Sequence, residues 1–482
     1  MTHKPLPRLL ILIPALALLA LGLLLTLHPA ERPYLDLLRQ GDEHAANAER
    51  IRAVAAYREA ARLRPDVPEP HLRLAQLYLD WGRTDEALEA LAEAVPSEWP
   101  FSKIDSERLG AEGSEKAERL HVAIHAARAD WPAVVKHARR LLALAPADSD
   151  ARHALAHAYV ELQDWEAALA EYEKLVRLNP ADSTAQERLG ALLLGDDSAA
   201  IQHLYAAQTN LAEQLLAARQ EASAENNKAY AHALQGRTLF EAQEWALAVR
   251  QFKCALSHKA DYADAHAYLG HALDQMGHPD EAWLHLQRAV ALDPDSPVAH
   301  TFLGLHHDQQ GDLSSARAEY EAAYELDPDN PATCVEIGQT WAAERRYVAA
   351  EVWLQKAIAL QPKNPVLWEI LTRFYLDNNI TGLGQAADAA SELLTLSPED
   401  ARARDLQGWA LFHAENYGAA QARLEQALSL DPTLASAYYH LGRVWEAQGK
   451  REKAQEAYVH ALNLDTTGEL APLVERVMGE LP

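Results

Sequence analysis

Ala291-Leu292-Asp293-Pro294, Glu325-Leu326-Asp327-Pro328 and Ala359-Leu360-Gln361-Pro362 repeat one another at an interval of 34 residues. Ala289, Ala323 and Ala357 keep the same interval, as do Ala282, Ala316 and Ala350 and, further back, Leu269-Gly270, Leu303-Gly304 and Ile337-Gly338. A fixed interval of this size marks a chain built from one supersecondary unit used many times. Each unit holds two runs of helical patterning, separated by a turn that often carries a glycine such as Gly277 or Gly311. The second run stops at Pro294, Pro328 or Pro362, because proline lacks the donor that a helix interior needs.

At these residues the sequence resembles the tetratricopeptide repeat family, whose unit is a helix-turn-helix with small residues at unit positions 8, 20 and 27 and Pro at 32. The match covers most of the chain after Tyr34. Small residues are needed at those positions because the paired helices cross closely; Gly270, Ala282 and Ala289 let the backbones approach with no side chain between them. The resemblance implies an all-α fold, a right-handed α-solenoid of about twelve helix pairs. Units fall at 34–67, 68–101, 115–148, 149–182, 229–262, 263–296, 297–330, 331–364, 365–400, 401–434 and 435–468, with a degenerate one beginning at 183.

Departures from the period divide the chain. Residues 102–114, with Ser102, Asp105, Gly110 and Gly113, have the composition of a linker between the second and third units. From Ser183 to Lys228 the spacing lengthens to 46 residues, and Ala199 to Ala222 lacks the closing Pro, so an extra helix or a break in stacking is expected there. The regular array then runs over 229–468. Unit 365–400 carries two extra residues at its turn near Asn379-Ile380-Thr381-Gly382, a stretch that is also a glycosylation sequon read as accidental. Residues 469–482 are expected to form a terminal helix capping the apolar face of the last unit.

Of 482 residues, 44 are Lys or Arg and 70 are Asp or Glu, a formal net charge of -26 that disfavours broad binding to nucleic acid or anionic lipid by long-range repulsion. The amino terminus differs from the rest. Leu9 to Leu27 is an uncharged stretch of 19 residues, interrupted only by Pro14, and about the length that spans a bilayer as a helix. We read residues 1–30 as a transmembrane anchor in preference to a cleaved signal peptide, whose apolar region is usually shorter, and because His28 is bulky for the minus-three position before Ala30. Lys4, Arg8 and the terminal amine give a slight bias toward a cytoplasmic amino terminus. The expected location is therefore a single-pass membrane protein with the repeat domain on the extracytoplasmic side.

Catalytic signatures are not found: no G-x-S-x-G elbow, G-x-G-x-x-G, Walker loop or H-E-x-x-H. Fewer than about 50 residues lie outside the repeats and the anchor at any one place, too few for a catalytic domain. We expect neither enzyme activity nor a cofactor. His121 with His125, and His153 with His157, have the four-residue spacing that places two imidazoles on one helix face. No carboxylate or thiolate is clearly placed beside them, and packing is the reading adopted over a metal site. Cys254 and Cys334 read as small apolar packing residues, and Trp131, Trp165 and Trp245 as wedges in the turn before the second helix.

The face offered by the first helices carries the better signal. Unit position 9 holds Arg237, His271, Arg373, Trp409 and Arg443. Tyr230, Phe240, Phe412 and Tyr439 extend this candidate groove, where arginine and aromatic side chains suit a peptide carboxylate or acidic motif. The competing reading pairs each Arg with a neighbouring carboxylate of the acidic solenoid. The carboxylate-clamp pattern of the family is not matched, since unit 263–296 has Ala267 and His271 at its positions 5 and 9. The function expected is a membrane-anchored scaffold for protein–protein interaction in the assembly of a cell-envelope or membrane complex. The alternatives are a regulatory subunit of an envelope biosynthetic enzyme and a His-based metal-binding envelope protein.

Overall fold

The computed structural model describes residues 32–95, 103–195, 198–225, 227–378, 380 and 383–480. Twenty-six helices and no strand occur among them, almost all arranged as successive antiparallel pairs. Local chemistry fixes where the helices begin. In the Pro297–Gln309 helix, Ser296 accepts a hydrogen bond from the Ala299 amide while Pro297 takes the first position. Asn330 and Asn364 do the same before Pro331 and Pro365. A side-chain oxygen at this place satisfies an amide that no helical carbonyl reaches, worth about 1 kcal/mol. Trp131, Trp165 and Trp245 open second helices, as their position in the turn suggests.

The pairs close where the sequence is small. A Cβ on Gly304 would stand 2.5 Å from Tyr320 Cε1, and one on Gly270 2.6 Å from Leu286 Cγ. Ala282, Ala289, Ala316 and Ala323 have no exposed surface. The large side chain of the second helix thus occupies the volume its partner leaves vacant, and both helices gain close contact.

In most of the described pairs the turn has one residue in the left-handed region. It is Gly277, Gly311 and Gly449 in three units, with φ of 76°, 77° and 74°, but Gln163, Gln243, Arg345 and Glu415 in others, with φ of 58°, 60°, 59° and 57°. A side chain there costs about 1 kcal/mol in the left-handed conformation, partly offset because glycine orders more freedom on folding. Gln243→Gly is therefore expected to raise the free energy of unfolding by about 0.5 kcal/mol, and Gly311→Gln to lower it similarly. Urea unfolding of the two variants checks the pair of opposite signs.

The chain forms two compact units. The first comprises the helices Arg32–Ala46, Arg50–Leu63, Glu69–Asp80, Thr84–Ala94 and Lys103–Ala127, together with the segment Asn463–Ala471. Within it, Tyr57 fills the space above Gly41 and donates a hydrogen bond to Asp42 at 2.8 Å. Asn463 accepts one hydrogen bond from Arg50 at 2.6 Å through its carbonyl and one from the Ile51 amide through its side chain. Gly82, at φ 78°, lies so close to Thr466 that a Cβ would be 2.2 Å from the carbonyl oxygen.

Residues 103–114 differ from the linker expected over 102–114. Helix begins at Lys103 and continues to Ala127, with non-helical geometry only at Gly110, φ 66° and ψ -175°. Glycine alone adopts that conformation readily, so one residue takes up the whole change of direction. Ser114, one turn on, donates its hydroxyl to the Gly110 carbonyl at 2.7 Å.

The second unit spans Asp130–Leu462 and Pro472–Pro482. The long interval after Ser183 folds as three helices, Ser183–Leu192, Ser198–Ala207 and Asn210–Glu225. A last helix, Leu470–Glu480, buries Val474 and Val477. No helix among the described residues is long and apolar enough to cross a membrane. The Leu9–Leu27 stretch read as an anchor lies outside the described residues, as do Asn379 and Thr381 of the sequon.

Candidate partner-binding groove

First helices of consecutive pairs touch one another, so equivalent positions come side by side. This is what assembles the two aromatic clusters of the second unit. In the first, the helices Lys228–Glu241, Ala263–Gln275 and Pro297–Gln309 bring Phe240 to within 5.0 Å of Tyr268, 5.5 Å of His271 and 5.8 Å of Phe302, centroid to centroid. His271 stacks on Phe302 at 4.6 Å. The exposed Arg237 guanidinium lies 5.5 Å over the Tyr268 ring, a cation–π contact. Burial among these rings drives the His271 pKa down to about 4, and its Nδ1 has no hydrogen-bond partner. The Tyr230 hydroxyl donates to Glu221 at 2.9 Å.

The second cluster is built by Pro365–Asp377, Ala401–His413 and Ala435–Ala447. Trp409 is held between Phe412 at 4.7 Å and His440 at 4.2 Å, both nearly parallel to it. His440 is fixed in turn by Asp405, whose second oxygen accepts from Ser436; both distances are 2.7 Å. Tyr439 is buried and accepts from Arg443 Nη1 at 3.3 Å. Arg443 lies over the Phe412 ring at 5.8 Å. Its Nε is 3.3 Å from Glu446 but misaligned, and this buried donor has no hydrogen-bond partner. Arg373 pairs with Glu369 on its own helix at 3.0 Å and remains half exposed.

The structure thus gathers Arg237, Phe240 and His271 at one place, and Trp409, Phe412, Tyr439 and Arg443 at another. Sequence reasoning missed Tyr268, Phe302 and His440. All three occupy unit position 6, and Tyr268 and Phe302 are separated by the repeat interval, so reading that position along the array would have found them.

The histidines of the second pair serve neighbouring groups. His153 Nε2 meets Asp182 at 2.7 Å, and Asp182 also accepts the Ala185 amide that begins the next helix. His157 packs 5.2 Å from Trp131 and is kept more neutral than usual by burial, with Arg188 nearby. His121 and His125 stack on each other at 5.9 Å. Cys334 is fully buried, which raises its thiol pKa, in keeping with a packing role.

Stacked helix pairs presenting one row of side chains define a class of protein that holds a partner along an extended surface. Three models, each described as the tetratricopeptide repeat, match residues 234–297 and 269–331, then 44–98, 309–374 and 411–476, and finally 150–192, together more than half of the chain. The chain belongs to the tetratricopeptide repeat family, and its repeats make it a protein–protein interaction scaffold. Among solved structures it is similar to the APC/C hetero-tetramer Cut9–Hcn1, at 13% identity over 95% of this chain and 97% of that one, with a TM-score of 0.43. Yeast Tom70 matches at 13% identity over 93% and 96%, TM-score 0.40. YrrB, described as having an unusual peptide-binding site, matches at 20% over 40% and 97%, TM-score 0.31. No curated protein matches the chain.

Proposed function

We propose that the chain is a membrane-anchored scaffold that binds an acidic or carboxylate-bearing segment of a partner protein in the groove of residues 229–468, toward assembly of a membrane or cell-envelope complex. The anchor is the Leu9–Leu27 stretch, and the domain faces away from the cytoplasm. The observation that carries the groove is the partly exposed Arg443 guanidinium, braced by Phe412 and Tyr439 and paired through Nε with Glu446 of its own helix at 3.3 Å. Arg373 supports the reading. Its bond to Glu369 is an exposed pair four residues apart on one helix, and such pairs contribute only about 0.3–0.5 kcal/mol, so a partner carboxylate displaces it at small cost. A bidentate charge-assisted contact in a desolvated groove is stronger.

Arg373→Glu with Arg443→Glu is the variant that tests this, since Trp409 is too enclosed to truncate without unpacking its neighbours. Affinity capture from solubilised membranes should lose a partner that the parent protein retains, with the thermal midpoint little changed. Retained capture with a lowered midpoint would show that both arginines serve internal pairing. Deleting residues 1–31 should release the chain from the membrane fraction; a full-length chain found soluble overturns the anchor.

A further inference from the structure

A second surface lies away from the first-helix row, on the turn and outer helix of residues 331–364. The Pro331–Ala343 and Tyr347–Leu360 helices enclose an open recess of about 670 Å³ lined by Trp341, Arg345, Arg346, Val348, Val352 and Trp353. Val348 is 81% exposed and Val352 59%, one helical turn apart on the same face. Among the described residues, Val348 is the most accessible of the large apolar side chains. Isolated exposed valines are ordinary, but these stand beside two indoles within one recess.

The charge around this recess opposes that of the chain. Arg317 lies over Trp341 at 3.8 Å and Arg346 at 5.5 Å, while Lys356 approaches Trp353 at 4.5 Å. Arg345 makes no ion pair among the described residues, and Arg346 only reaches Glu344 at 4.0 Å. Glu344 is already bonded to Arg317 at 2.8 Å, which leaves Glu321 as the carboxylate on the lining. Arg345 and Arg346 therefore line an apolar floor, with Arg317 and Lys356 against its two indoles, in a protein whose acidic groups outnumber its basic ones by 70 to 44. Arg345 also occupies the left-handed turn position, at φ 59°, that glycine takes in Gly277 and Gly311.

We propose that this recess is a second docking site, separate from the groove, for a partner peptide in which an aromatic or large aliphatic side chain is flanked by carboxylates. The apolar side chain enters between Trp341 and Val352 and desolvates both. The flanking carboxylates meet Arg345 and Arg346. A cationic peptide is refused here.

Fluorescence anisotropy on the repeat domain within the full chain tests the site with two labelled twelve-residue peptides, one with a central Trp-Leu flanked by Asp and Glu, the other with Lys in place of every acid. The acidic peptide should bind and the lysine peptide should not. Arg345→Gln with Arg346→Gln should weaken the acidic peptide by about tenfold or more, and Glu at both positions should reverse the preference. Gln is chosen because Gln163 and Gln243 already hold this turn position in other units. Val348→Asp with Val352→Asp, on an exposed face that leaves the fold intact, should also abolish binding. All recess substitutions are read in the background of the groove variant Arg373→Glu with Arg443→Glu, which should still bind the acidic peptide through the recess, so that failure of this site is separated from failure of the groove. Equal binding of both peptides overturns the proposal, as does loss of binding in the groove variant alone. Self-association in sedimentation that Val348→Asp removes, without peptide capture, also overturns it and assigns the recess to a second copy.

Discussion

Gly304→Leu is expected to destabilise the second unit by about 3 kcal/mol, at the upper end of what overpacking usually costs. The reason lies in what surrounds the missing side chain. A Cβ alone would be 2.5 Å from Tyr320 Cε1, 2.6 Å from Cδ1 and 3.1 Å from Cζ. The tyrosine ring has no exposed surface, so it cannot swing into solvent to make room. Relief requires that the Pro297–Gln309 and Leu313–Leu326 helices separate, and that loosens their contacts with the flanking pairs. Gly418 provides the contrast. It lies in the Tyr417–Leu430 helix with no heavy atom within 4 Å of its would-be Cβ, and Gly418→Ala should stabilise by about 0.5–1 kcal/mol through helix propensity alone. Urea unfolding gives the two signs. Because repeat units contact chiefly their neighbours, hydrogen exchange in the Leu variant should rise over 263–364 while units nearer residue 149 keep their protection. Uniform loss across the second unit would show that it opens as one body.

Lowering the pH from 7 toward 5 should move two repeats of the second unit, separated by one other, in opposite directions. In unit 263–296, burial depresses the pKa of His271 to about 4. It also depresses His266, with Arg288 adding to the effect, and His285, where the neighbouring His266 and Lys253 add to it. His266 and His285 meet through their Nδ1 atoms at 2.9 Å, an arrangement that needs at least one of them neutral. A depressed folded pKa means that the folded state refuses the proton. The stability is complete above the unfolded value of about 6.5 and is lost as pH falls through the interval toward the folded pKa. For His271 alone the loss near pH 5 is about 2 kcal/mol.

Glu336, in the next unit but one, behaves in the reverse sense. Burial, with Asp308 close by, pushes its carboxyl up to about 7. A raised folded pKa means that the neutral form is preferred in the fold, so its unfavourable burial is relieved as pH falls from 7 through the folded value, toward the ordinary range of about 4.3. Hydrogen exchange, corrected for the intrinsic pH dependence of the amide rates, should therefore show 263–296 losing protection and 331–364 gaining it. A melting temperature of the whole chain sums the two and hides both. His271→Phe should remove most of the acid sensitivity of 263–296, since phenylalanine has no proton to refuse; unchanged sensitivity would place its origin elsewhere.

Much of the fold was legible before any coordinates because a repeat writes the same contact many times. Pro294, Pro328 and Pro362 end helices for reasons internal to the backbone, and Ser296 or Asn330 begins the next for equally local ones. Gly270 and Gly304 mark helix crossings because a close approach excludes any Cβ, wherever the pair occurs in the array. The row of groove positions follows from the interval alone: Arg237 and His271 are one unit apart, and so are Trp409 and Arg443. Loop-like composition misled at 102–114, where one glycine conformation replaced a linker.

What the sequence by itself determined is the unit, its helix ends, its crossings and its register, because each depends on residues near in the chain or one repeat away. The tertiary structure alone decided which of those positions are enclosed. Trp409 reads as an open shelf, yet His440 and Phe412 stack on it at 4.2 and 4.7 Å. Asn463 reads as the end of the last unit, yet its hydrogen bonds go to Arg50 and Ile51, 413 and 412 residues away. Exposure, proton affinity and such distant contacts are sums over everything that packs around a group, and a local pattern carries no term for neighbours it does not contain.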